Sequence, residues 1–216
     1  MTANKEEYLK VIYHHKGEHK PVSNKKIATT LNVAPSSVTE MLPKLQKDGL
    51  VTVKPYKGTQ LTAKGLKVAL NLIRSCSLWE VFLVKHLNYN WKDAIEESQH
   101  LEHYANPRLL DKLDEFLDYP VVCPHGSVIP RQGTLKKREE LICLESMKRH
   151  EKGIIKQVLE EPELLSYLER MEIALGLEVE ILETSDYDGP VKIKSKDKEI
   201  SLSLKAAKGI YIEKMQ

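Results

Sequence analysis

The sequence predicts a mainly α chain with small β parts, and three observations carry that expectation. Apolar residues recur at helical spacing through most of the chain up to Leu175. Two short runs, LVTV and TQLT, flank the turn KPYKG and read as a hairpin. From Leu177 onward the pattern becomes short strands and turns: LEVEILET, SDYDGP, VKIKS, KDK, EISLSL and GIYIEK.

The elements follow in order. Asn4 with Glu7 forms a capping-box pattern, and Tyr8, Leu9, Val11 and Ile12 then make a helical stripe. KGEHKP is a turn. Ser23 is placed to cap a second helix, NKKIATTL, with Ile27, Ala28 and Leu31 at helical spacing. After NVAPSS, Pro35 suits the first position of a third helix, where its missing N–H costs nothing. That helix runs to about Lys47 with Val38, Met41, Leu42 and Leu45 on one face, and Gly49 ends it. Pro43 removes a backbone bond and is expected to kink or shorten it.

Helix, helix, turn, helix, hairpin is the layout of a winged helix-turn-helix. In such a unit the start of the third helix reads base edges in the major groove, and lysines meet phosphates. The base-edge candidates are Ser36, Ser37, Thr39 and Glu40. The phosphate candidates are Lys25, Lys26, Lys44, Lys54 and Lys57. The plain alternative is a small α/β domain used for protein contact.

Thr62 is placed to cap a long helix from about Ala63 to Leu87, of the kind that crosses a dimer or domain boundary. Leu66, Leu70, Ile73, Leu78, Phe82 and Leu83 give its apolar face. NYNW breaks it. DAIEESQHLEHYA and PRLLDKLDEFLDYP read as two more helices, the latter started by Pro107 and stopped by Pro120. RQGTLKKREE is a charged, exposed connection, and residues 141–175 read as mixed helical.

Composition narrows the function. The 216 residues are 41% apolar, enough for a packed core, and no apolar run is long enough to span a membrane. The start, MTANKEEYLK, has no apolar stretch of the secretory kind. An odd, low count of three cysteines then points to an intracellular, cytoplasmic chain with free or metal-bound thiols. The net charge of +2 conceals +7 over residues 1–70 against −5 beyond them. A basic N-terminal piece on an acidic body suits a polyanion-binding end.

The stretch DYPVVCPHGSVI sets Cys123 and His125 two residues apart on a turn. It reads as a metal clamp, a cysteine nucleophile with its base, or a tight turn that contains a thiol. Cys76 and Glu80 stand at i, i+4 on the long helix, on one face. Gln99, Glu102 and His103 stand at i, i+3, i+4 on the next, a spacing with which one helix offers several ligands to one ion. Each has a plainer reading. Glu7 can complete its capping box, Glu102 can pair with a lysine, and His103 can be a core histidine.

Together, NKEEYLKVIY, APSSVTEMLPKLQKDGLV, LTAKG, LWEVFLVKHL, LEH and DYPVVCPHGSVIP resemble the diphtheria-toxin-repressor (DtxR/MntR) family of metal-dependent transcriptional regulators. The likeness is greatest to its streptococcal-type manganese and iron regulators and covers nearly the whole chain. It implies a winged helix-turn-helix over residues 1–62 and a helical dimerisation and metal-binding domain over 63–140. It also implies an SH3-like, FeoA-type β domain over 141–216. It implies a homodimer that binds double-stranded operator DNA when metal-loaded and represses metal-uptake genes, with no membrane and no enzyme activity.

Carried over residue by residue, the first metal site uses Glu80, Cys123 and His125 with an acid at Glu160 or the adjacent Glu161, and Cys76 belongs to it or borders it. The second uses Glu7, Gln99, Glu102 and His103, weakened because Gln99 is neutral. The family pattern implies Mn²⁺ or Fe²⁺. Two thiolates at the first site would favour Zn²⁺ instead. Two further readings stand beside this one. Cys76 and Cys123 could form a redox switch. Cys123 could be an enzyme nucleophile with His125 as base, although i, i+2 neighbours in a turn are expected to point apart and no oxyanion motif is visible.

Overall fold

The computed structural model describes residues 1–131, 141–184, 189–196 and 198–215. The charged connection lies, past Arg131, outside the described residues. So do most of the SDYDGP turn and the middle of KDK. The chain divides into two compact units. The first holds residues 1–76 and 101–106 with the segment from Pro130; the second holds residues 77–100, 107–129 and the described residues beyond 140.

The first unit opens with α1 (Ala3–His14), α2 (Asn24–Leu31) and α3 (Pro35–Lys47), then the hairpin β1 (Val51–Lys54) and β2 (Gly58–Leu61). Thr2, without a side-chain cap bond, is the N-cap of α1, so the expected capping box is not formed. Ser23 does cap α2, accepting from the Lys26 N–H at 3.4 Å. Pro35 opens α3, which continues unshortened through Pro43. The residues flanking that proline explain it: Leu42 and Leu45 are fully packed and hold the turn in place. Leu9, Ile12, Ile27, Val38, Leu45 and Leu50 form the core. Gly58, at φ +115°, lets the hairpin approach the carbonyl of Val22, which a Cβ would meet at 2.4 Å.

The long helix α4 (Ala63–Leu87) is one unbroken element. Thr62 caps it, accepting from the Gly65 N–H at 3.1 Å. Its residues to Cys76 belong to the first unit and those from Ser77 to the second. Helix α5 (Trp91–Leu101) stops before Glu102 and His103, which fall in a turn rather than on the expected helix. Helix α6 (Pro107–Phe116) follows.

The C-terminal part is a six-stranded antiparallel sheet of β3 (Ile142–Cys143), β4 (Lys152–Val158), β5 (Glu178–Thr184), β6 (Val191–Ser195), β7 (Lys198–Leu202) and β8 (Ile210–Lys214), ordered β3-β8-β4-β5-β6-β7. Helices α7 (Pro162–Arg170) and α8 (Leu204–Lys208) complete it. Strand β4 falls where the sequence read as mixed helical. A bulge between Ile155 and Gln157 interrupts its pairing with β8, so its alternation breaks in mid-strand. Ile155, Leu165, Leu168, Ile181, Ile193 and Ile212 are fully buried here, and Ile95 of α5 packs into the same core.

Candidate metal centre

The turn after α6 is built to converge. Val122 bridges Val128, and the Ile129 N–H donates to the carbonyl of Val121. Within that clasp the Cys123 N–H donates to the carbonyl of Ser127, and the Gly126 N–H donates to that of Cys123, both at 2.9 Å. The Ser127 N–H donates to the Cys123 sulfur at 3.2 Å. The turn is docked on β4 by a bond from the Val158 N–H to the carbonyl of His125 at 3.0 Å. Gly126, at φ +93°, makes that possible, because a Cβ there would sit 2.2 Å from the carbonyl oxygen of Lys156.

Glu80, Cys123 and His125 meet in this place, their ligand atoms all within 4.8 Å of one another. They are 2%, 2% and 3% exposed. Glu80 Oε2 lies 3.3 Å from His125 Nδ1, and Glu160 Oε2 lies 3.4 Å from His125 Nε2. Of the two candidate acids it is Glu160 that reaches the ring; Glu161 is the N-cap of α7. Burial works against charge on His125. Hydrogen bonds to Cys123 and Glu160 and the charges of Cys123 and Glu80 outweigh it, and its pKa is pushed up to about 11. The cysteine and histidine thus do meet, contrary to the expectation for i, i+2 neighbours, because the Pro124–Gly126 turn folds both side chains inward.

A second group lies in the first unit: Glu7, Glu102 and His103. His103 places Nδ1 2.7 Å from Glu6 Oε2 and Nε2 3.2 Å from Glu7 Oε1 and 3.7 Å from Glu102 Oε1. The Lys10 ammonium donates to Glu102 Oε1 and lies 3.6 Å from Glu7 Oε1. Burial pushes the Glu102 carboxyl up, and the Lys10 ammonium opposes it. Burial likewise disfavours charge on Lys10, but Cys76, Glu102 and Glu7 outweigh it and raise its pKa. Gln99 is exposed on α5.

Cys76 requires a correction. Its thiol hydrogen-bonds the Glu102 carboxylate, and its neighbour Ser75 donates to the Glu102 carbonyl at 3.0 Å. It belongs with the second group, although Glu80, one turn later, belongs with the first. The i, i+4 spacing fixes a shared helix face but not what covers each end of it. None of the three cysteines is in a disulfide, and Cys76 and Cys123 have different partners.

Sequence reasoning missed Glu6 and Lys10. Both sit beside Glu7 on α1, at i−1 and i+3, and the latter spacing alone pointed to a neighbour across the helix. On the DNA-facing candidates, Ser36, Ser37, Thr39, Glu40, Lys25, Lys26, Lys44, Lys54 and Lys57 are all exposed. The Thr39 hydroxyl donates to the carbonyl of Pro35 at 3.0 Å, and Lys54 donates to Gln60 at 3.2 Å. Tyr56, at the wing tip between Lys54 and Lys57, is fully exposed and was not anticipated.

Comparison with known proteins bears on all three parts. The family model for the iron dependent repressor N-terminal DNA binding domain matches residues 1–59, that for its metal binding and dimerisation domain matches 62–131, and the FeoA domain matches 142–214. An uncharacterised HTH-type transcriptional regulator of Methanocaldococcus jannaschii is 35% identical over 119 residues, 55% of this chain and 95% of that one. Among solved structures, ScaR with bound Cd²⁺ is 38% identical, covering 98% of this chain and 100% of that one with a TM-score of 0.81. A manganese-dependent transcriptional repressor in complex with manganese is 27% identical, covering 98% and 100%, with a TM-score of 0.87.

Proposed function

This chain belongs to the diphtheria-toxin-repressor and MntR family of metal-dependent transcriptional regulators, and on that footing we propose that it is a homodimeric DNA-binding repressor of metal-uptake genes whose signal is a divalent ion held by Glu80, Cys123, His125 and Glu160. One observation carries the proposal: a thiol, an imidazole and two carboxylates from three segments converge on one place, three of them buried. Buried acids gathered without an ion are costly, and here the proton on His125 takes up that charge. The donor set therefore fits a divalent cation, which supplies the positive charge when bound. His125 would yield its proton to the ion, Glu80 and Cys123 would hold it from inside, and Glu160, 37% exposed in its side chain, would close the group from the end of β4.

With Cys76 placed at Glu102, the set has one thiolate rather than two. Two carboxylates, one imidazole and one thiolate make a harder set than two thiolates would, one that admits Mn²⁺ or Fe²⁺ as well as Zn²⁺. The exposed residues at the start of α3 serve for base edges, and the lysines of α2, α3 and the wing serve for phosphates. A homodimer is supported by an apolar surface on the second unit, where Phe116, Tyr119 and Val121 are 61%, 54% and 54% exposed, with Phe82 and His86 ringed against Phe116.

The test uses duplexes selected from a random pool with Mn²⁺ present, read by fluorescence anisotropy. Affinity should rise at least about 30-fold on adding Mn²⁺, within the range of allosteric couplings, and Cys123→Ala should abolish the rise. Equal affinity with and without metal would end the metal reading while leaving DNA binding in place.

A further inference from the structure

The second group is closed by a charge that the chain supplies itself. The Glu102 side chain is wholly buried, and its Oε1 accepts from the Lys10 ammonium, which also stands near Glu7. Most of the ligand atoms an ion would use there are engaged, and Glu102 Oε2, buried beside them, has no hydrogen-bond partner. His103 directs Nδ1 to Glu6 and Nε2 to Glu7, and Cys76 is a neighbour of the Glu102 carboxylate. Gln99, where the resemblance implied a fourth ligand, is neutral and exposed.

A divalent ion and an ammonium compete for the same two carboxylates, because like charges a few ångströms apart in a largely buried place repel. Lys10 cannot leave freely: its side chain is 14% exposed and packed against the same acids. These residues do not fit a divalent ion while Lys10 is in place.

We infer that Lys10 is the resident cation of the second group, an ammonium standing where a second metal ion would be. The chain then takes one divalent ion, at the first group. The tie between α1 and the Glu102–His103 turn is constitutive, and metal does not gate it. The count of one rests on the function proposed above; the exclusion at the second group rests on Lys10 and its partners alone.

The test is the stoichiometry of Mn²⁺ binding by calorimetry on the full chain, together with the melting temperature of the metal-stripped protein. Five proteins are compared: wild type, Lys10→Met, Lys10→Arg, Cys123→Ala, and Cys123→Ala with Lys10→Met. The expected outcome is a single ion for wild type and Lys10→Arg, a second, weaker one for Lys10→Met, none for Cys123→Ala, and a single ion for the double variant. Metal-stripped Lys10→Met should melt below wild type and recover with Mn²⁺, whereas Lys10→Arg should not shift. Lys10→Gln replaces Lys10→Met if the latter does not fold. The inference is overturned if wild type binds a second ion that Glu102→Gln removes, or if neither neutral variant gains an ion in either background. Failure of the first group as the sensor has a different signature: Cys123→Ala would keep the wild-type count.

Discussion

Glu80 and His125 form a buried pair, with Oε2 of one 3.3 Å from Nδ1 of the other and both side chains closed to solvent. They come from α4 and from the turn after α6, so the pair ties two distant stretches of chain. If the same carboxylate holds metal, Glu80→Gln should lower Mn²⁺ affinity about 100-fold, at the upper end of what changes around a metal site cost. The rise in melting temperature that Mn²⁺ gives wild type should shrink in step. Calorimetry and thermal melts with and without Mn²⁺ read both. An unchanged affinity would remove Glu80 from the site.

The charge on His125 sets a pH dependence. Burial opposes it, but Cys123, Glu160 and Glu80 raise its pKa to about 11. The folded value lies above the unfolded one of about 6.5. The stability this gives the metal-free protein is therefore complete below about pH 6.5 and lost as pH rises toward 11. Metal binding runs the other way, since the ring must give up its proton. Within that window Mn²⁺ affinity should climb about tenfold per pH unit for each proton released. Calorimetry in buffers of different ionisation enthalpy measures the release directly.

Gly126 offers a steric test. An alanine there meets both a left-handed φ of +93° and the Lys156 carbonyl at 2.2 Å. Backbone strain and overlap together should cost about 3 kcal/mol or more and pull the turn off β4, with loss of metal binding. Gly49, at φ +71° with open space around it, is the control. Gly49→Ala should cost about 1 kcal/mol and leave metal binding unchanged. Denaturant melts separate the two.

The DNA-facing residues divide by role. Lys57→Ala should weaken binding to all duplexes alike and reduce the salt slope by about one. Ser37→Ala should change which duplexes are selected, at a cost of about 1–3 kcal/mol on the preferred one. Because the Thr39 hydroxyl is held by Pro35, Thr39→Ser should act through its lost methyl. Binding isotherms across a salt series distinguish these outcomes.

Local signals explain what could be read from the sequence. The Ser23 and Thr62 caps, Pro35 at a helix start and the two-proline turn around Cys123 act over a few residues, and the elements form where those signals place them. Strand β4 was hidden because its bulge breaks the period of two on which strand recognition depends. The end of α5 before Glu102 has no glycine or proline beside it in the sequence. In the candidate sites, Cys123 and His125 announced themselves by proximity. The partners of Lys10 and Cys76 lie 92 and 26 positions away, and spacing along one helix cannot say which distant acid covers it.

The most direct measurement is an anomalous difference map from crystals grown with Mn²⁺, collected near the manganese edge. The account predicts one strong peak per chain, bounded by Glu80, Cys123, His125 and Glu160, with none among Glu7, Glu102 and His103. A peak only at the second group, or none at the first under saturating Mn²⁺, would contradict it.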